Sequence, residues 1–108
     1  MNTILGIDPG LRVTGYGVIH QEKQNFIYES SGTIKTTKQD LDLASRIKII
    51  VKGIDEVIEK FSPSIVAIEK VFVNTNPQST LLLGQARGAA IAAIVSKEIN
   101  IYEYTALQ

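Results

Sequence analysis

The sequence Ile4-Leu5-Gly6-Ile7-Asp8-Pro9-Gly10 is an apolar run that ends in a lone carboxylate, and it is the best indicator of the architecture of this chain. A second run of the same kind, Ile65-Val66-Ala67-Ile68-Glu69, comes later in the chain. Short apolar runs with β-branched members are typical of strands that are buried on both faces, as in a parallel sheet. Two neighbouring strands of this kind would bring their terminal acids together at one rim of the sheet.

The two acids predict a site for a hard divalent cation, because converging oxygen ligands suit Mg²⁺, with Mn²⁺ as an alternative. Each acid also has a simpler interpretation. Asp8 could cap the Asp-Pro-Gly turn that follows it, and Glu69 could pair with Lys70 or Arg12. Glutamate is rare in strands and is seldom buried, so its place after four apolar residues favours a functional role. Asp8 and Glu69 are therefore the candidate catalytic and metal-binding residues.

Length and composition indicate one domain over residues 1–108, with 44% apolar residues and no cysteine. The absence of cysteine excludes disulfides and thiolate metal sites. No apolar run approaches the ~18 residues of a membrane span, and no secretory signal is evident. We therefore expect a cytoplasmic protein without a membrane partner. Eleven basic residues balance eleven acidic residues, so composition alone does not indicate binding to nucleic acid.

The chain has the pattern β-β-β-α-β-α-β, with strands predicted at residues 3–8, 12–20, 25–36, 64–69 and 101–104. The first three suit an antiparallel meander, and the later ones suit parallel crossover units. An apolar stripe from Leu41 to Ile58 predicts a first helix, which Asp40 would cap and Ser62-Pro63 would end. Asn76-Pro77 would start a second helix that runs to residue 97. The fold class is thus α/β, a mixed five-stranded sheet with helices packed on its faces. Glycines inside the second strand would mark a bulge or a close approach.

Two further groups of residues are candidates for binding. An aromatic side chain beside the polar loop after Glu69 could stack on a splayed base, and its polar neighbours could contact phosphates or bases, although both features are also ordinary in cores and loops. The second helix carries small residues at four-residue spacing, which would suit either a two-fold helix–helix seam or close packing on the domain's own sheet. The candidate DNA-binding residues are Phe72, Arg12, Asn74, Asn76 and Ser79, and the candidate interface residues are Gly84, Arg87, Gly88 and Ala92.

Three blocks closely resemble the RuvC-type Holliday-junction resolvases: DPGLRVTGYG from Asp8, AIEKVF from Ala67 and LGQARG from Leu83. The resemblance covers essentially the whole chain. It implies an RNase H-like fold, a homodimer, and Mg²⁺-dependent symmetric nicking of four-way DNA junctions in recombination and repair. It also places the family's first two catalytic acids on Asp8 and Glu69 and its base-stacking aromatic on Phe72. The branch-migration proteins RuvA and RuvB would be partners by the same resemblance.

The chain departs from the family in one respect, since members continue into a last helix that supplies two more acidic metal ligands. The 108 residues are therefore expected to be a C-terminally truncated resolvase domain with little or no activity alone. Two other functions stay open. One is a non-catalytic module for junction binding or dimerisation. The other is an ATP-binding domain of the Hsp70, actin or sugar-kinase type, in which Gly10, Thr14 and Gly15 would approach a nucleotide phosphate.

Overall fold

The computed structural model describes residues 2–10, 12–36, 42–70 and 76–104. Its elements follow the predicted order, and their bounds differ from the predicted ones by at most two residues. The elements are β1 (Asn2–Asp8), β2 (Val13–Glu22), β3 (Asn25–Lys35), α1 (Leu43–Phe61), β4 (Ile65–Glu69), α2 (Pro77–Val95) and β5 (Asn100–Tyr104).

The five strands form one mixed sheet in the order β3-β2-β1-β4-β5. The first three strands are an antiparallel meander, and β4 and β5 are parallel to β1. The one register shift between β2 and β3 falls at Val18/Ile19. The bulge expected from Gly15 and Gly17 therefore lies just beyond these glycines, and a Cβ added to either glycine would meet nothing within 4 Å.

Both helices pack against the same face of the sheet. The core joins strand residues such as Leu5, Val18 and Ile68 to residues of α1 such as Ile54 and residues of α2 such as Ile94. Topology explains why one face is used, since both parallel crossovers move in the same direction along the sheet and right-handed crossovers then place their helices on the same side. The sequence pattern predicts helices on the faces of the sheet and does not specify that both share one face. Burying each of these aliphatic side chains contributes roughly 1.5–3 kcal/mol.

The first helix is capped by Asp42, whose Oδ1 accepts a hydrogen bond of 2.8 Å from the backbone N–H of Ser45. The prediction of Asp40 as the cap is therefore wrong, and Asp40 lies outside the described residues. Asp40 and Asp42 stand on either side of Leu41, the first residue of the stripe, and the stripe alone does not choose between them as the cap. At the other end, Ser62 has a left-handed conformation (φ 48°) and its N–H bonds to the carbonyl of Ile58 at 2.8 Å, which ends the helix where predicted.

The second helix starts as predicted, with Asn76 as its cap and Pro77 as its first residue. The Oδ1 atom of Asn76 accepts a hydrogen bond of 3.0 Å from the backbone N–H of Gln78. One side of α2 packs in the core through Ala86, Ala90, Ala93 and Ile94, and Leu81 and Val95 are exposed. None of the helices in the described ranges is long and apolar enough to span a membrane.

Candidate active site

The rim formed by β1 and β4 brings the two predicted acids together. Ile7 pairs with Ile68 in the parallel register, so that Asp8 and Glu69 occupy adjacent positions one residue further on. A hydrogen bond between the two carboxyl groups raises the pKa of Glu69, and desolvation and the negative charge of Asp8 raise it further. The prediction that both strands deliver their acids to one point is thus met by the geometry.

The structure adds Tyr104, which sequence reasoning missed, to this rim. Tyr104 ends β5 and pairs in register with Glu69. Burial raises the pKa of its phenol, and the charges of Glu69 and Asp8 raise it further. The signal that could have found Tyr104 is the parallel pairing of the fifth strand with the fourth, because this register sets the last residues of both strands side by side.

The acids project from the face of the sheet that α1 and α2 leave open. Side chains alternate along a strand, and the residues that flank the acids, Ile7 and Ile68, are buried under the helices. A cavity of about 250 Å³ opens beside Asp8, and its lining includes Gly6, Gly15, Gly17 and Tyr104. The glycines of β1 and β2 therefore leave space next to the acid pair that larger side chains would fill.

Gly10 is required by the turn that follows Asp8. A Cβ at this position would lie 2.0 Å from the carbonyl oxygen of Val13. The close approach at Gly10 therefore comes from the chain itself. The role of this glycine is to shape the link that carries the first acid into β2.

Those of the predicted DNA-binding residues that the structure describes lie at the end of the sheet that carries Asp8 and Glu69. Arg12 is exposed in the link between β1 and β2, and its carbonyl accepts a 2.7 Å hydrogen bond from the backbone N–H of Thr36. Asn76 is exposed and caps α2. Ser79 belongs to the first turn of α2. Phe72 and Asn74 lie outside the described residues, so their predicted contacts stay predictions.

The small residues of α2 face outward. Gly84, Gly88 and Ala92 are exposed, and a Cβ added to either glycine would meet nothing within 4 Å. Close packing of this row on the domain's own sheet is therefore excluded for the described residues. The alternative, a seam between two copies, stays a prediction.

Arg87, which we grouped with this row, occupies a different place. Its side chain is 18% exposed, its Nε donates a 3.2 Å hydrogen bond to the backbone carbonyl of Glu69, and its Nη2 lies 3.0 Å from Oε1 of Glu103. Both partners belong to the same chain, so Arg87 holds strands β4 and β5 to α2.

The described residues do not support two alternatives for this site, a surface ion pair of Glu69 and a nucleotide-binding site. In the part of the chain that the structure describes, Glu69 forms no salt bridge with Lys70 or Arg12. Thr14, which a nucleotide-binding site would need beside a phosphate, is 2% exposed. The Thr14 side chain is thus enclosed in the protein and is not available to a ligand at the rim.

Comparisons with a family model and with individual relatives point to the same protein family. The family described as crossover junction endodeoxyribonuclease RuvC matches residues 4–108. A relative of that name in Methylobacillus flagellatus is 60% identical over 109 residues, which cover 97% of this chain and 61% of the relative. Another in Paraburkholderia phytofirmans is 61% identical over 105 residues, which cover 97% of this chain and 57% of the relative. The chain thus spans about three fifths of the length of these relatives.

Solved structures confirm the RNase H-like fold. The RuvC of T. thermophilus in complex with a Holliday junction substrate superposes with a TM-score of 0.87 at 24% identity, over 99% of this chain and 66% of that one. The Thermus thermophilus RuvC structure gives a TM-score of 0.83 at 26% identity, over 95% of this chain and 63% of that one. The yeast mitochondrial Holliday junction resolvase gives 0.74 at 18% identity, over 94% of this chain and 50% of that one. With the family match over residues 4–108 and the acid pair at the predicted rim, the chain belongs to the crossover junction endodeoxyribonuclease RuvC family.

Proposed function

We propose that this chain is the part of a structure-specific endonuclease that carries its first two catalytic acids, and that the complete protein resolves four-way DNA junctions in the cytoplasm. The observation that carries the proposal is the contact between the carboxyl groups of Asp8 and Glu69 at the ends of two parallel strands, which raises the pKa of Glu69. Two carboxylates this close repel one another unless a proton or a cation lies between them. Family membership supports the same chemistry.

The donor set of the rim fits Mg²⁺ or Mn²⁺, since both acids offer hard oxygen ligands on an open face. When bound, such an ion would activate water and stabilise the negative charge that develops on a phosphodiester during in-line displacement. Asp8 and Glu69 would hold the ion, and the rigid β1–β4 pairing would keep their separation constant. The exposed Arg12 would place a positive charge near the phosphates of DNA bound at this rim.

Within the described ranges, no group of three or more histidine, cysteine, aspartate or glutamate side chains is placed to hold a metal. Two carboxylates hold a divalent cation with fewer protein bonds than a larger ligand set would. We therefore propose that these 108 residues, tested alone, bind junctions better than they cleave them.

We further propose that two copies associate through α2. Its exposed row of Gly84, Gly88 and Ala92 lets a second backbone approach closely, and the exposed Leu81 and Val95 add apolar surface at either end. A helix with apolar residues on both its outer and its inner side is usually buried on both sides. A homodimer would supply two equivalent sites for two symmetric nicks. RuvA and RuvB remain proposed partners of the complete protein.

The test compares binding and cleavage of a synthetic four-way junction with those of a linear duplex of matched sequence. Binding is measured in Ca²⁺ and cleavage in Mg²⁺, both at physiological salt, because phosphate-driven affinity changes steeply with ionic strength. Wild type is compared with Asp8→Asn and Glu69→Gln. Glu59→Gln, which removes an exposed acid from α1, is the matched control.

The proposal is supported if wild type binds the junction selectively and if Asp8→Asn and Glu69→Gln weaken this binding or alter its dependence on the cation. Glu59→Gln should change neither. Selective binding with little or no cleavage is the result expected of these 108 residues alone, and the cation dependence of the two acid variants then distinguishes a resolvase metal site from a non-catalytic module. Equal affinity for junction and duplex would contradict junction recognition by these residues.

A further inference from the structure

Arg87 connects the helix layer to the end of the strand that carries Glu69. From α2, its Nε donates a 3.2 Å hydrogen bond to the backbone carbonyl of Glu69, and its Nη2 lies 3.0 Å from the carboxylate of Glu103 on β5. The side chain is 18% exposed, whereas that of Glu103 is 46% exposed. A half-buried guanidinium with two partners is held more firmly than a surface ion pair.

The end of β4 needs such a contact because β1 stops supporting it there. On one side, Pro9 follows β1 and has no N–H, so the β1–β4 ladder cannot extend past the two acids. On the other side, the N–H of Lys70 still bonds to the carbonyl of Tyr104 at 2.7 Å. Glu69 is therefore tied to β5 through its neighbour, and its own carbonyl is taken by Arg87.

We infer that Arg87 is a positioning residue for the acid pair, an inference that rests on the function proposed above. Arg87 binds the main chain of Glu69, while the Glu69 carboxyl group meets Asp8. By fixing the last peptide of β4, Arg87 sets the direction in which the Glu69 side chain leaves the strand. Glu103 holds the guanidinium in the orientation that this contact requires.

Charge and position predict opposite effects when Arg87 is replaced. Removing a positive charge close to two carboxylates would, by electrostatics alone, make a divalent cation bind more tightly. Loss of the Glu69 anchor would make the cation bind more weakly, because the ligand would sample more orientations. Removing a partner that orients a metal ligand typically weakens metal binding by about 10-fold or more.

The experiment is a Mn²⁺ titration of the full 108-residue chain, followed by the electron paramagnetic resonance of free Mn²⁺, at a temperature where every variant is folded. We expect Arg87→Gln to raise the dissociation constant about 10-fold. Arg87→Lys should have nearly the same effect, because one ammonium group cannot reproduce the planar fork that reaches both partners. Glu103→Gln should give a smaller increase, since the bond to Glu69 persists.

Lys97→Gln is the matched control, because it removes one positive charge from the turn after α2, 3.9 Å from Asp55 and away from Glu69. It should leave the dissociation constant within about twofold, in keeping with the small worth of an exposed ion pair. Circular dichroism and thermal unfolding without metal separate loss of fold from loss of affinity. If Arg87→Gln does not fold, Arg87→Lys and Glu103→Gln still carry the test.

The outcomes separate the two proposals. The positioning role would be overturned if wild type binds Mn²⁺ and the folded Arg87 variants bind it equally or more tightly. The proposed metal site would then remain intact. Wild type that does not bind Mn²⁺ would overturn the metal site and the positioning role together. Weaker binding by both Arg87 variants, with Lys97→Gln unchanged, would establish the positioning role.

Discussion

Replacing Gly84 and Gly88 by alanine should move the stability of the protomer and the stability of the dimer in opposite directions. In the protomer, a Cβ at either position meets nothing within 4 Å, and both positions are exposed in the middle of α2. Glycine inside a helix costs about 1 kcal/mol relative to alanine. The double variant should therefore increase the free energy of unfolding of the isolated protomer by about 2 kcal/mol.

The dimer should respond in the other direction, because added methyl groups would separate two helices that meet along this row. Extra methylene groups in a packed contact cost about 1–3 kcal/mol, and a two-fold seam receives each substitution twice. Even 1.4 kcal/mol corresponds to a tenfold change in an equilibrium constant. We therefore expect the dissociation constant of the dimer to rise at least tenfold.

The assay combines urea unfolding, at a concentration low enough for the chain to be monomeric, with sedimentation equilibrium over a range of concentrations. Gly53→Ala is the matched control on α1, because its Cβ would lie 2.9 Å from atoms of Ile34 and the gain in helix propensity is then offset by crowding. A double variant that dimerises like wild type would refute the seam. A double variant that is less stable as a monomer would refute the exposed position of the row.

Three further changes test other parts of the structure. Asp8→Asn should raise the melting temperature of the metal-free chain at neutral pH and abolish its stabilisation by Mg²⁺. The folded pKa of Glu69 is raised, so the wild type loses stability as the pH rises through that pKa, and thermal scans from pH 4 to 8 should show the two proteins converging at the acidic end. Asp42→Ala should lower the melting temperature at neutral pH, whereas Asp42→Asn should retain the cap. Hydrogen bonds from Ser45 lower the pKa of Asp42, so the advantage of wild type over Asp42→Ala should fade as the pH falls through that lowered pKa. A difference in melting temperature that stays constant down to pH 2 would contradict this reasoning. Gly10→Ala should reduce the free energy of unfolding in urea by about 1–3 kcal/mol, because its Cβ would lie 2.0 Å from the carbonyl oxygen of Val13, and an unchanged urea midpoint would show that the turn relaxes freely.

The rim of the sheet could be predicted from sequence because it depends on local signals. Two apolar runs of strand length each end in an acid, and the change from strand to helix periodicity between them implies a parallel crossover. These signals need no knowledge of distant contacts. Asp8 and Glu69 were therefore predictable as a pair, and so was the start of α2 at Asn76.

The remaining features depend on strand order and on long side chains, which local patterns do not determine. Tyr104 joins the site only because β5 pairs with β4, and both helices share one face only because both crossovers run in the same direction. Arg87 reaches the main chain of a residue 18 positions away. A flexible cation on a helix has many possible partners, so its contacts could be found only from the folded chain.

The second helix links the two proposals, because it holds the acid site on one side and presents the small-residue row on the other. At 19 residues it is about 28 Å long, and its core contacts at Ala90 and Ile94 fix it against the sheet. A rigid helix of this kind allows the row of Gly84 and Gly88 to change without moving Arg87. If α2 behaves as such a rigid element, Gly84→Ala with Gly88→Ala weakens the dimer and leaves the Mn²⁺ affinity equal to that of wild type, even at a concentration where the wild type is dimeric. If dimer contact instead sets the tilt of α2, the same variant also weakens Mn²⁺ binding, and the seam is then part of the active site.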